Sequence, residues 1–507
     1  MECEASSRPR GILIVRRGLL RQAFKRWGSV LLAALAAVSV LAQVPSAVQP
    51  ALDNISAQSL RSDVSFLASD LLQGRATPSP GLEIAAEFIA AGFRRAGLEP
   101  AGDNSYFQTA RMKQVEPNWN GFQFTMVHGE QTVTIKAEDA AVLTLAAVDL
   151  KNVPATLDTG HAMGKVVILP AARLKEFEGV TNLRHRMRAA GAVAAIVTGR
   201  RPRFTAPLFD PSDEDTAIPV FSIRGDAVAA MLKKFPDAKV SIHLAAPKES
   251  TVPLKNVAAI IRGSDPVMKD AWVLVTCHYD HIGVKPKGEG DRIYNGANDD
   301  ASGVASMLEV ASALASLTER PKRSVLFVAF FGEEEGGYGS SWYGRHPIVP
   351  LANTVADINL EHMGRTDDED GAKLNSATLT GFDFSDMPQE FVKAGELTGI
   401  KVYKDEKRSD AYFSRSDNQT LADHGIPAHT MCVAYDFGDY HGVGDEWQKL
   451  DYENMARVDR MVTLGVWMLA DTDTVPVWNA KLPDTAPYVA AAAKLHPSAG
   501  ATAGEAH

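Results

Sequence analysis

Five potential metal ligands and one further carboxylate recur along the second half of the chain, most of them at the end of an apolar run. Residues 273–277 lead into His278-Tyr279-Asp280-His281, and Asn298-Asp299-Asp300-Ala301-Ser302-Gly303 comes next. Residues 325–331 lead into Gly332-Glu333-Glu334-Glu335-Gly336, a further apolar segment leads into Asn359-Leu360-Glu361-His362, and Tyr440-His441-Gly442 comes last. Two histidines and three carboxylates suit two divalent cations that share a bridging carboxylate. A neighbouring glutamate outside the coordination set would serve as a base. This is the inventory of a hydrolase that works with two zinc ions.

Each motif also has a plainer reading. His278 and Asp280 lie one residue apart just past a strand, where alternate side chains point the same way, so Asp280 could orient the His278 ring. His281 competes with His278 as a ligand. Asp299 and Asp300 precede a helical stripe, and each can have one job: Asp299 bridges two cations while Asp300 caps the helix. Three consecutive carboxylates after Phe330-Phe331-Gly332 are costly at a sheet end unless cations neutralise them. Glu335 reads as solvated. Of Glu333 and Glu334, one would be a ligand and its neighbour the base for an attacking water. Asp357 is the alternative to Glu361, and His441 completes the set from a glycine-rich stretch. A serine hydrolase is excluded, because no G-x-S-x-G elbow occurs.

The elements that must position these groups follow from periodicity. A chain of 507 residues exceeds one ordinary core, so two domains are expected. Apolar residues make up 45% and charged residues 22%, the composition of a soluble globular protein. A net charge of −10 without a long basic stripe argues against nucleic acid as a partner. Three cysteines cannot build a disulfide framework; Cys277 and Cys432 read as buried small apolar residues. Arg16, Arg17, Arg21, Lys25 and Arg26 precede an apolar run from Val30 to Ala42, too short for a comfortable membrane span. Residues 1–42 therefore read as a signal peptide, with an uncleaved anchor as the alternative. Export to the periplasm or the extracellular space is expected, without stable membrane association after cleavage.

Residues 80–98 read as an amphipathic helix ending at Gly97. The stretch of roughly 130–250 holds short β-rich pieces and a helix near 183–190, without a His/Asp/Glu cluster. From Lys255 to about 470, strands and helices alternate. Val304, Met307, Leu308, Ala311 and Leu314 form one helical stripe, and a new strand begins at Ser324. Such alternation implies a mostly parallel sheet with helices on both faces and a site beyond the carboxyl ends of its strands. The segment 479–507 reads as a flexible tail.

Taken together, these blocks resemble the M28 family of zinc metallopeptidases from about residue 60 to 470. Gly332-Glu333-Glu334-Glu335-Gly336 with Gly339-Ser340 resembles the family's G-E-E-x-G-x-x-G-S loop. Asn298 to Gly303 resembles its N-D-D-x-S-G block, and Tyr440-His441 with Asp445 and Asp451-Tyr452 resembles its closing motif. The resemblance implies a three-layer α/β/α zinc exopeptidase domain, split between residues 43–130 and 253–478. It makes His278 and Glu361 ligands of different metals with Asp299 bridging, and Glu334 and His441 complete the two shells. Glu333 becomes the general base, and Tyr440 stabilises the tetrahedral intermediate. Two zinc ions per chain and peptide substrates follow, with an aminopeptidase foremost; a carboxypeptidase, a dipeptidase or an inactive receptor-like protein are the alternatives. Two departures stand out: Glu361 where many members have Asp, and Arg415-Ser416-Asp417-Asn418 with Asn in place of the family's His. Residues 131–252 are similar to a small α+β protease-associated domain, judged by Gly164 to Ile168 and Ala189 to Val197.

Overall fold

Four strands buried at nearly every position form the middle of the sheet, because neither of their faces meets water. Ala428–Cys432, Thr354–Leu360, Trp272–His278 and Ser324–Phe330 lie side by side in that order, all parallel. The last two are buried at every position, which accounts for runs that are apolar throughout rather than alternating. The register sets Val273 beside Val325 and His278 beside Phe330, so the carboxyl ends emerge along one edge. The computed structural model describes residues 43–177, 180–199, 208–210 and 218–497. The expected signal peptide, residues 1–42, lies outside the described residues.

The flanks of the sheet are antiparallel. Lys239–Ile261 pairs antiparallel with Ser324–Phe330, and Ser376–Leu379 pairs antiparallel with Ala428–Cys432. The expected α/β/α layering is present. One face carries Pro80–Ala96, Ser302–Ala315 and Tyr452–Asp471, which pack on one another or on the strands. On the other face Tyr343, Leu421 and Ala422 pack with Leu274, Leu326 and Phe330. Pro80–Ala96 starts where the Ser79 hydroxyl accepts from Leu82 N at 3.1 Å and stops at Gly97, whose φ of 78° is left-handed.

A second group of strands lies between residues 140 and 223. Val148–Thr156, Val166–Pro170, Ala194–Thr198 and Val220–Ile223 are parallel neighbours, and Ala140–Leu143 closes the edge antiparallel. Phe124, Ile168, Ile196 and Phe221 share one apolar cluster on this lobe; Val167, Leu169, Leu183 and Val197 share another. The lobe hangs on two long strands, Phe107–His128 and Lys239–Ile261, paired antiparallel from Phe107 opposite Val257 to Val127 opposite Lys239. Lys239–Ile261 also pairs with Val148–Thr156 at its start and with Ser324–Phe330 at its end, so position 252 falls inside a continuous strand. The described residues from Ser46 onward form one compact unit. No helix among them is long and apolar enough to cross a membrane.

The expectation of a flexible tail from 479 is corrected by the structure. Pro483–Thr485 and Ala486–Leu495 are helical. Tyr488 stacks on Trp478 with centroids 4.9 Å apart and meets Phe413 at 5.4 Å. The helix is alanine-rich and buries none of its residues fully, so its composition resembles that of a linker. Residues 498–507 lie outside the described residues. Truncation after Leu482 is expected to lower stability by about 2–4 kcal/mol, the loss of a few partly buried apolar side chains. Urea denaturation of the truncated chain measures it, and an unchanged midpoint would show that this helix adds nothing to the core.

Candidate metal centre

The carboxyl edge of the parallel strands gathers the predicted residues. His278 ends the Trp272–His278 strand, Glu333 and Glu334 follow Ser324–Phe330, and Glu361 follows Thr354–Leu360. Asp299 enters from the turn ahead of Ser302–Ala315, and His441 from the loop after Ala428–Cys432. A Cβ on Gly303 would lie 2.2 Å from the Leu360 carbonyl oxygen and 2.3 Å from an Asp300 carboxylate oxygen, so this close approach requires glycine.

Asp299 is the centre of the arrangement. Its Oδ1 lies 3.2 Å from His278 Nε2, and its Oδ2 lies 3.3 Å from His441 Nε2. His441 Nε2 is also 3.0 Å from Glu334 Oε2. His278, Asp299 and Glu361 offer ligand atoms within 4.8 Å of one another, and so do His281, Asp299 and Glu334. His281 Nδ1 lies 2.6 Å from Glu334 Oε1, yet neither atom makes a hydrogen bond. Both ring nitrogens of His278 and Nε2 of His362 are likewise buried without a hydrogen-bond partner. Buried polar atoms normally have partners. So many orphaned ligand atoms converging on one carboxylate fit two cations, one on each side of Asp299.

The structure corrects one expectation drawn from the resemblance. His278 and Glu361 stand on the same side of Asp299, not on opposite sides. Their strands are immediate neighbours, whereas Glu334 follows the strand on the other flank of Trp272–His278. Asp357, the alternative to Glu361, is buried away from the cluster and accepts from the Thr276 hydroxyl at 2.9 Å. Cys277 and Cys432 are buried free thiols, as expected.

The two adjacent glutamates are in opposite electrostatic states. Burial holds Glu333 well above the usual carboxylate range, with Glu361, Asp417 and Glu334 adding to the effect against the pull of His278. Burial and Asp299 push Glu334 the same way, but contacts with His281 and His441 win and hold it below its ordinary value. Asp299 is held well down by His278, His362 and His441 despite its burial. Tyr440 is half exposed, stacks on His441 with centroids 4.1 Å apart, and is kept protonated chiefly by burial.

Several supporting residues act on the backbone. Asp280 Oδ1 accepts from Glu333 N at 3.1 Å and lies 3.6 Å from His278 Nδ1, a charge contact rather than a hydrogen bond. Asp300 Oδ1 accepts from Gly303 N at 2.9 Å, which satisfies an amide of the first turn, although the N-cap position itself is held by Ala301 and not by Asp300 as expected. Asp445 accepts from the backbone N–H groups of Asn298 and Asp299 at 3.0 and 3.1 Å. Sequence reasoning missed Arg75 and His362. The buried guanidinium of Arg75 donates to the carbonyls of Leu67, Tyr279, Asn295 and Gly296, tying the turn after His278 to the turn before Asp299. His362 lies 3.6 Å from Glu361 and 3.7 Å from Asp299. His362 and His441 both have left-handed backbones, φ 56° and 51°, which is uncommon outside glycine and clusters at functional sites.

Residues 256–466 match the model of peptidase family M28. The chain is similar to the aminopeptidase YwaD of Bacillus subtilis, 25% identical over 336 residues, covering 63% of this chain and 65% of the relative. A probable zinc metalloprotease of Pyrenophora teres f. teres is 38% identical over 122 residues, covering 24% of this chain and 25% of the relative. The matches thus span a quarter to just under two thirds of these relatives' lengths. Among solved structures, the aminopeptidase from Aneurinibacillus sp. strain AM-1 superposes with a TM-score of 0.56 at 19% identity, over 84% of this chain and 96% of that one. BSAP, a zinc aminopeptidase from Bacillus subtilis, gives 0.51 at 19% identity over 85% and 98%. Both share the fold.

Removing the Arg75 guanidinium would leave four backbone carbonyls and a nest of carboxylates without their buried cation. Arg75→Met is expected to destabilise the protein by about 3–5 kcal/mol, the cost of breaking a buried charge network from one side. Urea denaturation of chelator-treated protein isolates this effect from metal binding. A loss under about 1 kcal/mol would show that the two turns hold their positions without Arg75.

Proposed function

We propose an exported two-zinc exopeptidase of peptidase family M28, whose model residues 256–466 match, and within it an aminopeptidase that releases N-terminal residues from peptides. The observation that carries the reading is Asp299, whose two oxygens face two separate groups of ligand atoms. His278, Asp299 and Glu361 would hold one ion. Asp299, Glu334 and His441 would hold the other, with His281 beside it. Zinc ions there would polarise the scissile carbonyl and make water more acidic.

The chain's own residues then move the proton. A Glu333 carboxylate oxygen takes it from the attacking water and delivers it to the leaving amine. The raised proton affinity of Glu333 suits a group that must both accept and give a proton near neutral pH. Its backbone is fixed by the Asp280 carboxylate. The Tyr440 hydroxyl donates to the carbonyl oxygen as negative charge develops on it. Residues 131–252 would form a protease-associated domain that shapes access to the cleft. In support, Arg345 donates to Asp210 of the lobe at 2.8 Å from the helix Tyr338–Arg345, which starts just past the Glu333 loop.

Metal analysis of the purified protein is expected to find about two zinc ions per chain, with activity lost to a chelator and restored by zinc. A single firmly bound ion in active protein, with no response to added zinc, would remove the bridging role of Asp299.

The adjacent glutamates give a sharper test. Glu333→Gln should keep both metals and lose roughly 10²–10⁴-fold in kcat, the usual contribution of a positioned acid or base. Glu334→Gln should weaken metal retention, because an amide oxygen is a poorer zinc ligand than a carboxylate. Near-normal turnover by Glu333→Gln, or loss of its zinc, would shift the assignment by one residue along the loop.

A further inference from the structure

A small pocket, about 60 Å³, adjoins the metal centre, with Glu361, His362 and Tyr440 in its wall. Its other charged wall residues are Arg415 and Asp436. Asp436 is already committed: it accepts from Arg408 Nε and, at 3.1 Å, from the Tyr412 hydroxyl. Tyr412 in turn carries the Arg415 guanidinium 3.9 Å from its ring centroid. A guanidinium stacked on a tethered ring is held in place while its in-plane N–H donors stay available. Among the described residues, no carboxylate lies within ion-pair distance of Arg415, and its guanidinium makes no hydrogen bond. Ser416, also in the wall, accepts from Asn359 Nδ2 at 2.8 Å and leaves its own hydroxyl proton uncommitted.

The pocket therefore presents a fixed cation and a hydroxyl donor beside the metal ligands, and no acceptor among the described residues answers them. The complementary group is planar, anionic and bidentate. We infer that Arg415 determines specificity by binding a carboxylate of the substrate in this pocket. The inference rests on the exopeptidase reading and gives it a substrate class. The carboxylate has two possible sources: an acidic side chain on the N-terminal residue, or the free α-carboxylate of a dipeptide. Neutral long peptides are disfavoured in either case, because the guanidinium would be covered without a partner.

The test compares matched pairs on the zinc-loaded protein: glutamyl against glutaminyl 4-nitroanilide, and Leu-Gly against Leu-Gly-amide. In one pair the acid should be preferred about tenfold or more in kcat/KM, and Arg415→Met should reduce that ratio about 10–100-fold, the worth of a charge-assisted hydrogen bond. Arg415→Lys should restore part of the preference. A shift in the first pair assigns the acidic side chain, and a shift in the second assigns the dipeptide carboxylate. If Arg415→Met changes both members of both pairs equally, the inference is overturned. Titration calorimetry with L-glutamate against L-glutamine, and with Leu-Gly against its amide, reads the pocket without turnover. Should the wild type hydrolyse none of these substrates, the peptidase reading fails, and calorimetry still decides the pocket. An acid bound more tightly than its amide by the wild type, but not by Arg415→Met, supports a carboxylate site; equal binding refutes it.

Discussion

Concentrated negative charge is the constraint on which this structure depends. Asp280, Asp299, Asp300 and Asp445 are almost fully buried in one corner, and Glu333, Glu334 and Glu361 lie against them. Burying even one unpaired carboxylate is expensive, and burying several together compounds the cost. Among the described residues the opposing charge comes from the Arg75 guanidinium and from imidazoles pressed against Asp299 and Glu334. Divalent cations bound there would offset that cost. The parallel strands deliver the carboxylates to one edge, and the backbone bonds of Asp280, Asp300 and Asp445 fix the turns that carry them.

Identical neighbours are given different jobs by position alone. Asp299 faces the imidazoles and is held ionised, while Asp300 turns back to the amide of Gly303 and is pushed well up by burial. Glu333 and Glu334 repeat the pattern one strand away, with opposite shifts. Paired carboxylates whose environments drive their proton affinities apart are how a single site provides both a ligand and a base.

The sequence disclosed what is local and periodic. Runs such as residues 273–277 and 325–330 had to be strands covered on both faces, and the ligand-bearing residues behind them had to share an edge. It could not disclose lateral order. Nothing in the spacing says that Thr354–Leu360 and Ser324–Phe330 flank Trp272–His278 on opposite sides, yet that order places Glu361 with His278 and Glu334 across Asp299. Arg75 was invisible for a similar reason. Its partners are backbone carbonyls, three of them more than 200 residues away, and a carbonyl leaves no mark on a sequence. The alanine-rich helix Ala486–Leu495 was hidden by composition, because its few anchoring side chains are diluted among small ones.

The accessory lobe is joined to the catalytic edge by a hydrogen-bonded ribbon rather than by a linker. Phe107–His128 and Lys239–Ile261 run 22 and 23 residues, and the second forms ladders with strands of both regions. The pairing is regular on either side of an irregular stretch between His243 and Lys248, where the register shifts. The ladder between Leu208–Phe209 and residues 113–114, with Asp210 held by Arg345, fixes one lobe loop beside the helix that follows the acidic turn. The lobe is thus joined to the sheet that positions Glu333 through the strand they share.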